Sequence, residues 1–162
     1  MRYIANSGKE YFIREAVSEE WDTAMELAFR VFLKYESKEY GKKGTEQFAD
    51  FVTSPRLKEM FEAGSYKLLA AVCEEKIVGI ISRRSGNHIS LLFVDTAFQK
   101  MGIGSSLVKE LAIDTRNNST YGRMTVNAAP YATEFYHSIG FQDMGKMTEA
   151  DGMIYTPMEI KI

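Results

Sequence analysis

The stretch Phe93-Val94-Asp95-Thr96-Ala97-Phe98-Gln99-Lys100-Met101-Gly102-Ile103-Gly104-Ser105-Ser106-Leu107 decides the fold. An apolar, β-rich run ends at Asp95, a short polar loop follows, and two glycines one residue apart open a segment of helical period. Ile103, Leu107, Val108, Leu111 and Ala112 fall on one helix face, which runs to about Asn117-Asn118. A helix start leaves four N–H groups without intrahelical acceptors, and the helix dipole adds positive potential there. Glycine at 102 and 104 removes the Cβ atoms that would hold an anion off the backbone, so the segment reads as an anion cradle. The alternative is purely structural, a tight turn with close helix packing. Two other phosphate loops are excluded by the letters. A Walker A loop needs Gly-Lys-Ser/Thr, but Gly104 is followed by Ser105-Ser106. A dinucleotide fingerprint needs a third glycine at position 107, which is Leu, and an acidic residue about 20 positions on, where Met124 and Thr125 stand.

Upstream, three β-rich runs follow one another with tight connections. Tyr66 to Cys73 and Lys76 to Arg84 are joined by Glu74-Glu75, and Ser85-Gly86-Asn87 leads into His88 to Asp95. Their spacing predicts an antiparallel meander. Before them, Glu10 to Val17 reads as a strand and Ser18 as an N-cap, with Glu19 and Glu20 in the first turn. Trp21, Ala24, Met25, Ala28, Val31, Phe32 and Tyr35 then mark an amphipathic helix. Glu36 to Gly44 reads as a loop, and 45–63 as helical with a restart at Ser54-Pro55 and a stop at Gly64.

Downstream, Arg123 to Ala128 is a strand and Pro130 starts a short helix through Ile139, closed by Gly140. Phe141 to Met147 and Met153 to Ile162 read as two strands around Glu149 to Gly152. Ile154, Thr156, Met158, Ile160 and Ile162 alternate, and Pro157 on the opposite face implies an edge or bulged position. The order β-α-α-β-β-β-α-β-α-β-β predicts a mixed α/β (α+β) domain over residues 1–162, one sheet of six to seven strands with helices on both faces.

Composition agrees, and excludes little beyond membranes, secretion and nucleic-acid coating. With 45% hydrophobic and 26% charged residues the chain is globular rather than disordered. Its longest unbroken apolar run, Leu68 to Cys73, is too short to span a membrane, and Met1 to Asn6 carries no signal-peptide core. A single cysteine, Cys73, forbids an internal disulfide and points to a reducing cytoplasm. Twenty basic against 22 acidic residues give a net charge of −2, and no Lys/Arg-rich run suggests nucleic-acid binding. His88 and His137 belong to no Cys/His cluster, so no metal is implied.

Two segments carry a family resemblance. Gln99-Lys100-Met101-Gly102-Ile103-Gly104 is similar to the Gln/Arg-x-x-Gly-x-Gly/Ala pattern of the GNAT superfamily of acyl-CoA-dependent N-acyltransferases. Asn127 to Phe141, ending Phe135-Tyr136-His-Ser-Ile-Gly140-Phe141, resembles that family's other recognisable motif. The strand order over residues 10 to 162 is similar as well. The resemblance implies acetyl-CoA as cosubstrate and a fourth strand that bulges and splays from the fifth. It places the pyrophosphate on the main chain of Gln99, Lys100, Met101, Gly102, Ile103 and Gly104, and the pantetheine arm against Leu92, Phe93 and Val94. Asn127 and Tyr131 are implied as further cofactor contacts. Tyr136 is implied as the acid that protonates the CoA thiolate after direct attack of a neutral amine through a tetrahedral intermediate.

The acceptor is expected to be a primary amine of a small molecule. A protein N-terminus or lysine, and a CoA-binding sensor without turnover, stand as alternatives. Tyr35, Glu36, Glu39 and Tyr40 form an acidic, aromatic group suited to a cationic amine, or a solvated helix end. No base is singled out: His88 reads as a surface residue, Glu134 as solvent-facing, Asp95 as a loop cap, and water offers another route. The apolar final strand and the short sheet edges are compatible with a homodimer.

Overall fold

Residues 66–84 are apolar on both faces of a strand, a pattern that demands cover on both sides of a sheet. The computed structural model, which describes all 162 residues, supplies it. The strands are β1 (Arg2–Ile4), β2 (Glu10–Glu15), β3 (Lys67–Cys73), β4 (Lys76–Arg84), β5 (His88–Val94), β6 (Arg123–Ala128), β7 (Gln142–Asp143), β8 (Thr148–Ala150) and β9 (Met153–Lys161). The helices are α1 (Trp21–Tyr35), α2 (Ser37–Val52), α3 (Pro55–Glu62), α4 (Ile103–Asn118) and α5 (Thr133–Ser138). The sheet order is β1-β2-β3-β4-β5-β6-β9-β7, with β8 also on β9. All pairs are antiparallel except β5 with β6. No helix is long and apolar enough to cross a membrane.

One core lies between the sheet and α1, α2 and α3, where Phe32 and Phe48 stack at 4.1 Å. The other lies between the opposite face and α4 and α5, around Leu107, Leu111, Met124 and Met158. Burying such side chains contributes about 1.5–3 kcal/mol each before entropy is counted. Gly79 lets α4 lie close on β4, since a Cβ there would meet Leu107 Cδ1 at 3.1 Å.

The expected meander is present, with Glu74 and Glu75 both at positive φ in a two-residue hairpin turn. Ser54 caps α3 by accepting from the Leu57 N–H, and Pro55 takes the first helical position. Four expectations are corrected. Ser18 is not the cap of α1: a 3-10 turn over Ser18–Glu20 precedes it, and Glu20 reaches back to the Val17 N–H. Residues 37–44 are not a loop but the first half of α2, kinked where Gly41 takes φ 68°. Its buried stripe Tyr40, Gly44, Phe48, Val52 repeats every four residues. The run 141–147 is strand only at Gln142–Asp143, the next strand begins at Thr148, and the turn tightens to Asp151-Gly152. The N-terminal β1 and the separate β8 add two strands to the expected seven, so the sheet has nine. Pro157 lies between the segments of β9 that pair with β7 and β8, where the outer edge is interrupted.

Two features of β5 create a gap. Ser82 pairs with Leu91 and Arg83 with Ile89, leaving Ser90 as an extra residue in a bulge. The bulge turns the alternation: Ile89 faces the α4 core, whereas Leu91 and Phe93 face the α1 core. Buried Tyr66 steadies it, its hydroxyl 2.7 Å from Ser82 Oγ and donating to Ser90 Oγ at 3.0 Å. Beyond the bulge β5 and β6 part. They pair only at His88 with Thr125 and Ile89 with Val126.

Candidate active site

The gap between β5 and β6 opens into a cleft of about 990 Å³ that runs from the α4 start to the α1–α2 junction. Of the residues singled out in the sequence, Leu92, Phe93, Val94, Gln99, Lys100, Gly102, Ile103, Gly104, Asn127, Tyr131 and Tyr136 all line it. Met101 does not. Its side chain turns to the N-terminal hairpin, where Ser7 Oγ donates to its sulfur, and its carbonyl accepts from the Asn6 N–H.

The loop before α4 presents donors. Asp95 accepts from the Ala97 N–H at 3.1 Å and pairs with Arg30 at 2.9 Å, fixing the exit of β5. Gln99 Nε2 donates to the Val94 carbonyl at 3.0 Å and closes the loop from within. Lys100 and Gly102 then take left-handed φ of 61° and 87°. The N–H groups of residues 100 to 105 donate to no acceptor in the protein. Six successive free donors at a helix start are an arrangement that favours an anion.

The two glycines divide the work differently from expectation. Gly102 is required by its φ, and a Cβ there would meet nothing. At Gly104 a Cβ would meet Phe135 Cζ at 3.3 Å, so this glycine also lets α5 pack against α4. The two sequence motifs therefore touch. Phe135 packs edge-on against Tyr136 at 5.2 Å, and Tyr136 against Phe141 at 5.1 Å.

Tyr136 is buried, 4% exposed, yet lines the cleft, and its hydroxyl has no hydrogen-bond partner in the protein. Burial, reinforced by the negative charge of Glu36, raises its pKa far above the ordinary phenol value. Asn127 is exposed on the other lip, and the turn before Pro130 is not capped by it, since no side chain caps that turn. Tyr131 stacks on Tyr35 at 5.2 Å. Lys100 is exposed and forms no ion pair.

At the opposite end the wall comes from residues distant in sequence. Phe32, Glu36, Tyr40 and Phe48 reach in from α1 and α2, and Ala150, Asp151, Met153 and Tyr155 from the β8–β9 hairpin. Gly44 and Gly152 meet backbone to backbone: a Cβ on Gly44 would lie 2.7 Å from the Gly152 carbonyl oxygen. The Glu36 carboxyl has no hydrogen-bond partner, and burial together with the Glu39 charge pushes it up to about 7. Glu36 and Tyr40 of the acidic aromatic group thus line the cleft, while Glu39 does not. His88 sits at the closed apex with Nδ1 2.8 Å from Thr125 Oγ1, and burial lowers its pKa to about 4. Glu134 is exposed. No group of His, Cys, Asp and Glu is arranged to hold a metal.

A profile described as acetyltransferase (GNAT) domain matches residues 36–162. The chain belongs to the GNAT acetyltransferase family. Solved structures share the fold across almost their whole length. A GCN5-related N-acetyltransferase from Rhodopseudomonas palustris is 17% identical with a TM-score of 0.81, covering 100% of this chain and 98% of its own. The PaiA N-acetyltransferase from Thermoplasma acidophilum, crystallised with coenzyme A, is 17% identical with a TM-score of 0.75, covering 94% and 99%. An aminoglycoside 6′-N-acetyltransferase complexed with coenzyme A is 15% identical with a TM-score of 0.62, covering 93% and 96%. No curated protein sequence matches the chain.

Proposed function

We propose that the protein transfers the acetyl group of acetyl-CoA to the nitrogen of a primary amine of a small molecule. The observation that carries this reading is the run of free N–H groups at residues 100 to 105, all but Met101 lining the same cleft as the unpaired edge of β5 and Tyr136. A pyrophosphate fits the cradle because successive N–H groups and a helix start both favour anionic oxygens. Lys100 adds a positive charge at its rim. The edge of Leu92, Phe93 and Val94 offers main-chain groups to an amide-containing arm, in the manner of an added strand, with Asn127 opposite. Acetyl-CoA, when bound, supplies an activated thioester carbonyl.

The chain's own residues then handle protons. Tyr136 Oη keeps its proton through the neutral range, because burial and the Glu36 charge both oppose ionisation. A phenol held neutral and without a protein acceptor is a hydrogen-bond donor to a departing sulfur. Phe135 and Phe141 hold its ring by edge contacts on two sides. The walling of the far end by α2 and the β8–β9 hairpin favours a small acceptor over a polypeptide.

The test is thiol release from acetyl-CoA over an amine panel that includes lysine peptides, with thermal stabilisation by CoA measured in parallel. Tyr136→Phe is expected to lower kcat about 100-fold and to keep CoA binding. Wild-type kcat in the variant at every pH would remove the acid role from Tyr136. Stabilisation by acetyl-CoA with no thiol release from any amine would favour a sensor.

A further inference from the structure

Glu36 stands at the junction of α1 and α2, where its carbonyl accepts from the N–H groups of Glu39 and Tyr40 at 3.0 and 3.2 Å. That junction fixes where its side chain enters the cleft. Around it the lining is largely aromatic: Phe32, Tyr40, Phe48, Tyr131 and Tyr136. It forms no ion pair, although Arg84 and Lys100 line the same cleft. An unpaired carboxylate among apolar walls is unfavourable to the fold unless a cation joins it. Aromatic faces and one carboxylate together suit an alkylammonium group, the rings attracting the cation and the carboxylate orienting it.

We infer that Glu36 anchors the acceptor, receives the proton of its ammonium group, and with the surrounding rings selects a monoamine carried on an apolar body. This rests on the acetyl-transfer reading above. The ammonium gives one proton to a Glu36 oxygen, which later passes it to solvent. The freed nitrogen lone pair forms the bond to the acetyl carbon as the carbonyl pair moves to oxygen, and the return of that pair breaks the carbon–sulfur bond. Tyr136 protonates the sulfur, and the second nitrogen proton restores the phenol, so one proton is released per turnover. Polycations are disfavoured by the charge count: besides Glu36 the cleft offers only Asp151 as a carboxylate, on the exposed hairpin turn, against the cation Arg84. The other groups facing this end that titrate are the phenols of Tyr40, Tyr131, Tyr136 and Tyr155, with Glu39 close behind. Burial first, then the Glu36 charge, raises Tyr40, Tyr131 and Tyr136, which leaves Glu36 as the group that changes charge near neutrality.

Thiol release should be compared for phenylethylamine, spermidine, an aminoglycoside and a lysine peptide, with wild type and Glu36→Gln. The expected result is kcat/KM highest for phenylethylamine by at least tenfold. A limb near pH 7 in its wild-type profile should be absent from Glu36→Gln, with kcat/KM down about 100-fold and stabilisation by CoA unchanged. Preference for spermidine, the aminoglycoside or the peptide would overturn the inference while leaving acetyl transfer standing. So would an unchanged profile in Glu36→Gln, and a wild-type profile without the limb suffices should the variant not fold. No thiol release from any amine would instead overturn the underlying reading.

Discussion

Replacing Glu36 with glutamine should raise the stability of the protein above neutral pH and leave it unchanged in acid. The carboxyl titrates at about 7 in the folded protein against an ordinary 4.5, because burial and Glu39 oppose its charge. A group that holds its proton more tightly when folded favours the fold only while protonated. Between those two values the folded chain carries more bound protons than the unfolded one, so stability falls as pH rises through the window and is flat on either side. The full gap corresponds to about 3 kcal/mol at ~1.36 kcal/mol per decade. Glu36 opens onto the cleft, so solvent screening reduces this to roughly 1–2 kcal/mol. Glutamine keeps the shape and cannot ionise. Urea titrations of both proteins at pH 4 and pH 8 measure the effect. With an m-value of ~2 kcal/mol per molar, the variant's midpoint should exceed wild type by about 0.5–1 M at pH 8 and match it at pH 4. The other titrating groups are common to both proteins and cancel in the difference. An equal midpoint difference at both pH values would refute the reasoning, since it would trace to packing and not to charge.

The paired glycines should separate under alanine. Gly102→Ala should lose about 1–2 kcal/mol by forcing a left-handed alanine, with CoA affinity falling alongside, read by denaturation and thermal shift. Gly104→Ala should change stability by less than about 1 kcal/mol while lowering kcat, because Phe135 must yield beside Tyr136; unchanged kcat would detach that contact from activity. Gly44→Ala places a Cβ 2.6 Å from Tyr40 Cβ and 2.7 Å from the Gly152 oxygen, so the hairpin must move. A loss of about 1–3 kcal/mol and a raised KM for the amine are expected, measured by melting and steady-state kinetics.

The cradle could be read from the sequence because main-chain donors after Gln99 need only a strand end, a glycine at 102 and a helix. All of these are local signals. The meander was legible for the same reason, since Glu74-Glu75 and Ser85-Gly86 separate runs of strand period. The acceptor end was legible only as a collection of residue types. Glu36 and Tyr40 stood out as acidic and aromatic, but their sharing a cleft with Tyr131, Tyr136 and Tyr155 depends on three separate segments of the chain. The first half of α2 was hidden because its glycines and charges resemble a loop. The four-residue repeat of Tyr40, Gly44, Phe48 and Val52 was the signal that betrays it. The packing role of Gly104 was hidden because a glycine needed beside a neighbouring ring and one needed for an anion look alike until Phe135 is placed.

The parting of β5 from β6 has a consequence beyond the room it makes. A continuous sheet insulates the two cores on its faces, and here the insulation fails along one line. Glu36 and Tyr40 belong to the layer of α1 and α2, Tyr136 and Phe135 to the layer of α4 and α5, and they see one another only through that line. The Tyr136 phenol and the Glu36 carboxylate are thus carried by separate halves of the molecule, each packed on its own side. If the proposed roles hold, substitutions that remodel the α2 and hairpin wall should change which amine is held without disturbing the phenol or the α4 start, so acceptor choice and cofactor grip would vary independently within one small fold.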